Sequence, residues 1–173
     1  MSRACEEMRD LVQTFFLLAR AQNTDTSQIP TLALDAVAQE LMEQWRPQIE
    51  GKGLQLHYQV QHLMPGQFNA TFLRAVMGNL LRNALHYTDS GQITLTLVAN
   101  GFTVEDSGVG IPENEREAMF QPFVRGDSQR GDGLGLGLSL VQRICASQGW
   151  EVSLSAVEPR GCRFQVILVE ATN

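Results

Sequence analysis

Apolar residues at Met8, Leu11, Val12, Phe15, Phe16, Leu18 and Ala19 recur at helical spacing, with Glu6, Glu7, Arg9 and Asp10 mostly opposite, which predicts an amphipathic helix over 8–20. The polar run Asn23-Thr24-Asp25-Thr26-Ser27, followed by Pro30, reads as a linker. A second helical pattern runs from Leu32 to about Ile49 through Leu34, Val37, Ala38, Leu41, Met42 and Trp45, with Gly51 and Gly53 as stops. The period then changes to two: Leu54, Leu56, Tyr58 and Val60 alternate with polar residues as in a half-buried strand. Pro65-Gly66 turns the chain, and Asn69 offers a cap to a third helix carrying Phe72, Val76, Leu80, Leu81, Ala84 and Leu85. Strands are expected over Ile93–Val98 and Gly101–Glu105, joined at Asn100-Gly101, a strong hairpin signal. A long loop from Ser107 to about Gly135 precedes a helix over Leu136–Ser147, a stop at Gly149, and strands near Glu151–Val157 and Cys162–Val169.

This order predicts an α/β two-layer sandwich, a mixed β-sheet covered by helices on one face and preceded by one amphipathic helix. The expected division is 1–25 for the leading helix and linker and 26–173 for the domain. The leading helix has no neighbour of its own kind. Its apolar stripe must be buried against the following domain or against the same helix of a second chain, as a homodimer.

Length and composition narrow this little: 173 residues at 43% hydrophobic and 18% charged suit one folded domain. Charge narrows it more. A net charge of -6 argues against a broad nucleic-acid footprint, so any phosphate site must be local. Cys5, Cys145 and Cys162 form no close pair, which suggests neither a zinc site nor a disulfide framework and fits a reducing, cytoplasmic setting. No apolar run approaches the ~18 residues needed to cross a bilayer, so no membrane contact is expected of these residues.

Four groups of residues carry candidate chemistry. Asn79 and Asn83 lie four apart on the third helix, so both amides leave one face, and an amide oxygen is a ligand Mg²⁺ accepts; two polar-face residues explain them equally well. Asp106 ends a strand and opens Asp106-Ser107-Gly108-Val109-Gly110-Ile111. Its carboxylate could accept a hydrogen bond from an exocyclic amine such as that of adenine, or simply hold a turn. Gly131-Asp132-Gly133-Leu134-Gly135-Leu136-Gly137-Leu138 opens a helix, where freed backbone N–H groups can face phosphate oxygens; a flexible loop is the plainer reading. Within the long loop, Phe120 and Phe123 could anchor a lid while Arg125 offers a forked cation to phosphate, or form a satellite core beside a solvated arginine.

In order and spacing, Asn79-Leu80-Leu81-Arg82-Asn83-Ala84, Asp106 to Ile111, Phe120 to Arg125 and Gly133 to Leu138 resemble the boxes of the catalytic domain of bacterial two-component sensor histidine kinases. The wider superfamily includes gyrase-type, Hsp90-type and mismatch-repair ATPases, and the resemblance covers roughly 30–170. It implies a Bergerat-type ATP-binding fold with ATP and Mg²⁺ as cofactors. Asn83 would hold the metal with Asn79 at the same side, and Asp106 would read the adenine amine with Gly108, Gly110 and Ile111 around it. His86-Tyr87 falls where the family often has Lys-Tyr near the phosphates, so His86 is a departure. Arg125 resembles the family's lid arginine, and Gly133, Leu134, Gly135, Leu136, Gly137 and Leu138 its nucleotide-closing loop.

Superfamily members that hydrolyse ATP usually carry Glu where Asn79 stands, and an amide cannot act as a general base. The resemblance therefore implies transfer of the γ-phosphoryl group to histidine. None of His57, His62 and His86 lies in a helix patterned like the family's acceptor helix. The chain is thus expected to be a piece whose acceptor lies on a dimerisation/phosphoacceptor domain elsewhere, with a response regulator downstream and a parent protein anchored in the inner membrane. Helix 8–20 resembles the end of the second dimerisation helix. Two other readings stay open: a catalytically inert nucleotide-binding or partner-docking module, and a serine-directed kinase of the anti-sigma type.

Overall fold

The computed structural model describes residues 30–116, 118–120 (only the backbone of Met119) and 137–170, together with the helical positions Arg9, Val12 and Phe16. The rest of the expected helix 8–20, the linker 23–27, Phe123, Arg125 and the loop 131–136 lie outside the described residues.

In chain order the elements are β1 (Thr31–Leu32), α1 (Leu34–Gly51), β2 (Gln55–Val60), β3 (Phe68–Asn69), α2 (Ala70–Tyr87), β4 (Gln92–Val98), β5 (Gly101–Asp106), a single-turn α3 (Glu113–Arg116), a 3-10 turn (Ala118–Phe120), α4 (Gly137–Gln148), β6 (Glu151–Ala156) and β7 (Cys162–Ile167). Five strands form one sheet in the order β2-β4-β5-β7-β6, with β2 parallel to β4 and the other pairs antiparallel. A parallel pair needs a long crossover, and α2 supplies it between β2 and β4.

Period-two alternation decides which face is covered. One register row runs Tyr58, Leu95, Val104, Phe164, Leu154, and another runs Val60, Leu97, Phe102, Val166, Val152. Leu95, Leu97, Phe102, Val104, Phe164 and Val166 are buried, and Leu73, Met77, Leu80 and Leu81 of α2 and Val141 and Ile144 of α4 pack in the same core. The opposite face carries Thr94, Thr96, Thr103, Glu105, Arg163, Gln165 and Ser153, with Glu105 and Arg163 paired across neighbouring strands. The expected two-layer architecture with helices on one face is therefore present.

Differences from the expectation are local. The second helix starts at Leu34, because Thr31–Leu32 pairs antiparallel with Phe68–Asn69 instead of joining the helix. Two-residue strands are too short for periodicity to reveal. The hairpin turn lies at Ala99-Asn100, and Gly101 begins β5, where a Cβ would sit 1.9 Å from the Val166 carbonyl oxygen. The long loop is not featureless either, since α3 and the 3-10 turn fall within it.

The helix that matters most, α2, is fixed at both ends. Asn69 Oδ1 accepts from the Phe72 amide at 3.0 Å, the cap expected from the sequence. At the other end Lys52 Nζ donates to the Leu85 carbonyl at 2.6 Å, placing a cation where the helix dipole is negative.

Candidate functional site

Asp106 ends β5 on the covered face of the sheet. It pairs with Ile93, whose other neighbour is Leu56, so a carboxylate occupies a row otherwise built for apolar side chains. It is 4% exposed. Burial pushes its pKa above the ordinary aspartate value of 3.8; hydrogen bonds from the backbone N–H groups of Gly108 and Cys162 pull against this shift, and nearby Glu105 adds to it. Both donors reach Oδ1, at 2.9 and 3.3 Å. Among the described residues none donates to Oδ2. A buried carboxylate held by one oxygen, with the other left to accept, is costly for folding and suited to recognition.

The segment after Asp106 is fastened to the end of α2. The Val109 amide donates to the Tyr87 carbonyl at 3.1 Å, and a Cβ on Gly108 would lie 2.0 Å from that same oxygen. Gly110 holds φ of +79°, while a Cβ on Gly161, just before Cys162, would lie 2.0 Å from the Asp106 carbonyl oxygen. These glycines therefore permit close approach of backbones around the carboxylate. Gly108→Ala is expected to cost about 1–3 kcal/mol by overpacking. Gly51→Ala, with nothing within 4 Å of the new methyl, is expected to be near neutral, and urea midpoints of the two variants check the contrast.

On α2 the residues Asn79, Arg82, Asn83 and His86 follow at helical spacing and share one side of the helix. Asn79 is buried with a hydrogen bond at each amide atom: its Nδ2 donates to the Ala75 carbonyl at 2.6 Å, and its Oδ1 accepts from Arg82 Nη1 at 3.0 Å. Asn83 is half-buried, and among the described residues nothing holds its amide. The first residue of α4, Gly137, comes so close that a Cβ there would sit 2.9 Å from Asn79 Oδ1. The start of α4 thus lies beside Asn79, and the Asp106 turn lies beside Tyr87. Two helical turns, roughly 12 Å, separate those points.

Residues 68–172 match the family model described as histidine kinase-, DNA gyrase B- and HSP90-like ATPase. The chain belongs to this ATPase family. Curated relatives are sensor kinases: the sensor protein kinase PmrB of Pseudomonas aeruginosa is 30% identical over 178 residues, covering 97% of this chain and 37% of PmrB. The adaptive-response sensory kinase SasA of Crocosphaera subtropica is 32% identical over 143 residues, 78% of this chain and 37% of that protein. The aerobic respiration control sensor protein ArcB of Escherichia coli is 28% identical over 132 residues, 70% of this chain and 17% of ArcB. The chain thus spans well under half the length of these relatives. Among solved structures the fold is similar to that of full-length ShkA in complex with AMPPNP, with a TM-score of 0.74 at 24% identity over 95% of this chain and 37% of that one. It also resembles the cytoplasmic segment of histidine kinase QseC, with a TM-score of 0.69 at 20% identity and 94% coverage of both chains.

Within this ATPase domain the described candidates gather around α2: Asn79, Asn83, His86 and Tyr87 lie on it, Gly108 touches Tyr87, and Gly137 touches Asn79. Ile111 and Leu138 are buried in the core, and Phe120 meets Phe164 edge-on with ring centroids 6.3 Å apart. Arg125 and the loop residues Gly133, Leu134, Gly135 and Leu136 lie outside the described residues. Three contributors escaped the sequence reading. Cys162 and Gly161 complete the setting of Asp106 from β7, whose pairing with β5 no local pattern announces. Burial, and then Asp106, push the Cys162 thiol up to about 11, so it packs as an inert group. Thr88 is fully buried beside Gly108 with no hydrogen-bond partner for its hydroxyl among the described residues.

Proposed function

We propose that this domain binds Mg-ATP and donates the γ-phosphoryl group to a histidine on a separate dimerisation/phosphoacceptor domain, as one step of two-component signalling. The buried Asp106 carboxylate with Oδ2 open to a donor carries the reading. A carboxylate accepts from the exocyclic amine of adenine and repels the carbonyl oxygen that guanine presents at the equivalent position. Apolar neighbours such as the fully buried Ile93, the cross-strand partner of Asp106, exclude water, which strengthens that choice.

At the other end of the site, Asn83 would supply one amide oxygen to Mg²⁺. Among the described residues no cluster of three His, Cys, Asp or Glu side chains could hold a metal, so the fit is to an ion carried mainly by phosphate oxygens and water. When bound, Mg²⁺ neutralises charge on the phosphate oxygens. This chain's own part is to position: both amide atoms of Asn79 are hydrogen-bonded, and the N–H groups at the start of α4, beside Asn79, would meet the phosphates. Asn79 stands where members of the superfamily that hydrolyse ATP usually carry Glu, and an amide cannot take a proton from water, which favours transfer to an imidazole over hydrolysis.

We assign 26–173 to the catalytic unit and 1–25 to what precedes it, by their resemblance to the end of a dimerisation helix and a linker. Among the described residues no helix is long and apolar enough to cross a membrane. The resemblance to sensor kinases, rather than that absence, supports a domain that acts on the cytoplasmic side of an anchored parent. His57 and His62 are exposed on and just after an edge strand, and His86 lies on α2 among the candidate site residues, which supports placing the acceptor histidine on a separate domain. Incubation with labelled ATP and a separately purified acceptor domain of a sensor kinase is expected to put acid-labile phosphate on the acceptor histidine and none on this chain. Tight ATP binding without transfer to any acceptor would instead support an inert nucleotide-binding module.

A further inference from the structure

Arg82 stands between the two candidate asparagines and has no part in the site as described so far. Its guanidinium carbon lies 5.7 Å from the centroid of the Trp45 ring, and its Nη1 donates to Asn79 Oδ1 at 3.0 Å. Stacking on a buried indole and a hydrogen bond to a locked amide fix the guanidinium plane, a rigidity that a solvated surface arginine lacks. The location is equally specific. The oxygen that accepts from Arg82 is the one that a Cβ on Gly137 would approach to 2.9 Å. The guanidinium is therefore held beside the first residue of α4, and one residue along α2 from Asn83.

Charge points the same way. The chain carries -6 overall, so a polyphosphate needs local cations to approach. On this side of α2 stand the His86 imidazole and the Arg82 guanidinium, and the latter presents a planar fork of donors that matches phosphate oxygens. Asn79, whose oxygen is committed to Arg82, then has the task of aiming that cation rather than binding metal.

Resting on the ATP site proposed above, the geometry points to Arg82 as the residue that reads the terminal phosphate, making this site selective for nucleoside triphosphate over diphosphate. Asn79 and Trp45 are its positioning residues. The arrangement explains why a second asparagine lies one turn before Asn83 with both of its amide atoms already engaged.

Calorimetric titration of the whole chain with Mg-ATP and Mg-ADP tests it, using the wild type, Arg82→Gln and Arg82→Lys. The wild type is expected to prefer ATP. Arg82→Gln should lower ATP affinity by about tenfold or more, the loss of one charge-assisted contact, and change ADP affinity by less than about twofold. Arg82→Lys keeps the charge and most of the stem over Trp45, so it guards against a folding defect in the glutamine variant. It should lose part of the ATP preference because an ammonium cannot reproduce the planar fork. If both variants bind ATP as the wild type does, or lose ATP and ADP affinity in equal measure, the assignment of Arg82 is overturned while the ATP site stands. A wild-type chain that binds neither nucleotide overturns the ATP site and this assignment together.

Discussion

Asp106→Asn is expected to leave the nucleotide-free domain at least as stable as the wild type at neutral pH, and to weaken ATP binding by about 100-fold or more. The two effects have one cause. The folded pKa of Asp106 lies above the ordinary value of 3.8, because burial opposes its charge. The unfolded chain therefore releases this proton first, and the folded state loses stability as pH rises from about 3.8 through the raised value. Asparagine has no proton to release. Its Oδ1 can still accept from the Gly108 and Cys162 amides, so the turn keeps both hydrogen bonds. The thermal midpoint of the variant should thus gain on the wild type across that acidic window, and the gain should persist at neutral pH. Binding suffers because the amide NH₂ then stands where Oδ2 would accept, and two donors face each other with the adenine amine. Thermal scans between pH 3 and 7, paired with an ATP titration at pH 7, check both halves. A variant that is less stable than wild type at pH 7 and binds ATP equally well would show that Asp106 is a structural turn residue.

Asn83→Ala should separate binding from folding in another way. The amide is half-buried and held by nothing among the described residues, and alanine is the better helix former, so stability should change by no more than about 0.5 kcal/mol. Removing the metal-side oxygen should abolish the dependence of ATP binding on Mg²⁺, so that titrations with and without the ion coincide. Asn79→Ala is a less clean probe, since it also frees the Ala75 carbonyl and Arg82. If Asn83→Ala binds Mg-ATP like the wild type, the metal side of the site lies elsewhere.

What could be read from the sequence follows from the range of each signal. Alternation at Leu95, Leu97, Phe102 and Val104 announces strands because the covered face repeats every second residue, and Asn69 announces a helix because the cap lies three residues from the amide that it holds. Asp106 is visible as a carboxylate at the end of such a strand before Gly108 and Gly110. Its setting is not, because Cys162, 56 residues away, opens β7 and Gly161 precedes it, and strand pairing leaves no local trace. The β1–β3 pair escapes because two residues carry no period. Arg82 escapes for a different reason: a basic residue amid a helix pattern looks solvated until Trp45 from another helix is placed beneath it. Gly108 is visible in the sequence two residues after Asp106, but that its missing side chain makes room for the Tyr87 carbonyl is seen only in the fold.

Titration of the intact chain with Mg-ATP and Mg-GTP tests most directly whether the buried carboxylate of Asp106 selects adenine. Saturable ATP binding at least tenfold tighter than GTP binding, with the preference lost in Asp106→Asn, is the expected result. Equal affinity for the two nucleotides, or a preference that survives in Asp106→Asn, would contradict it.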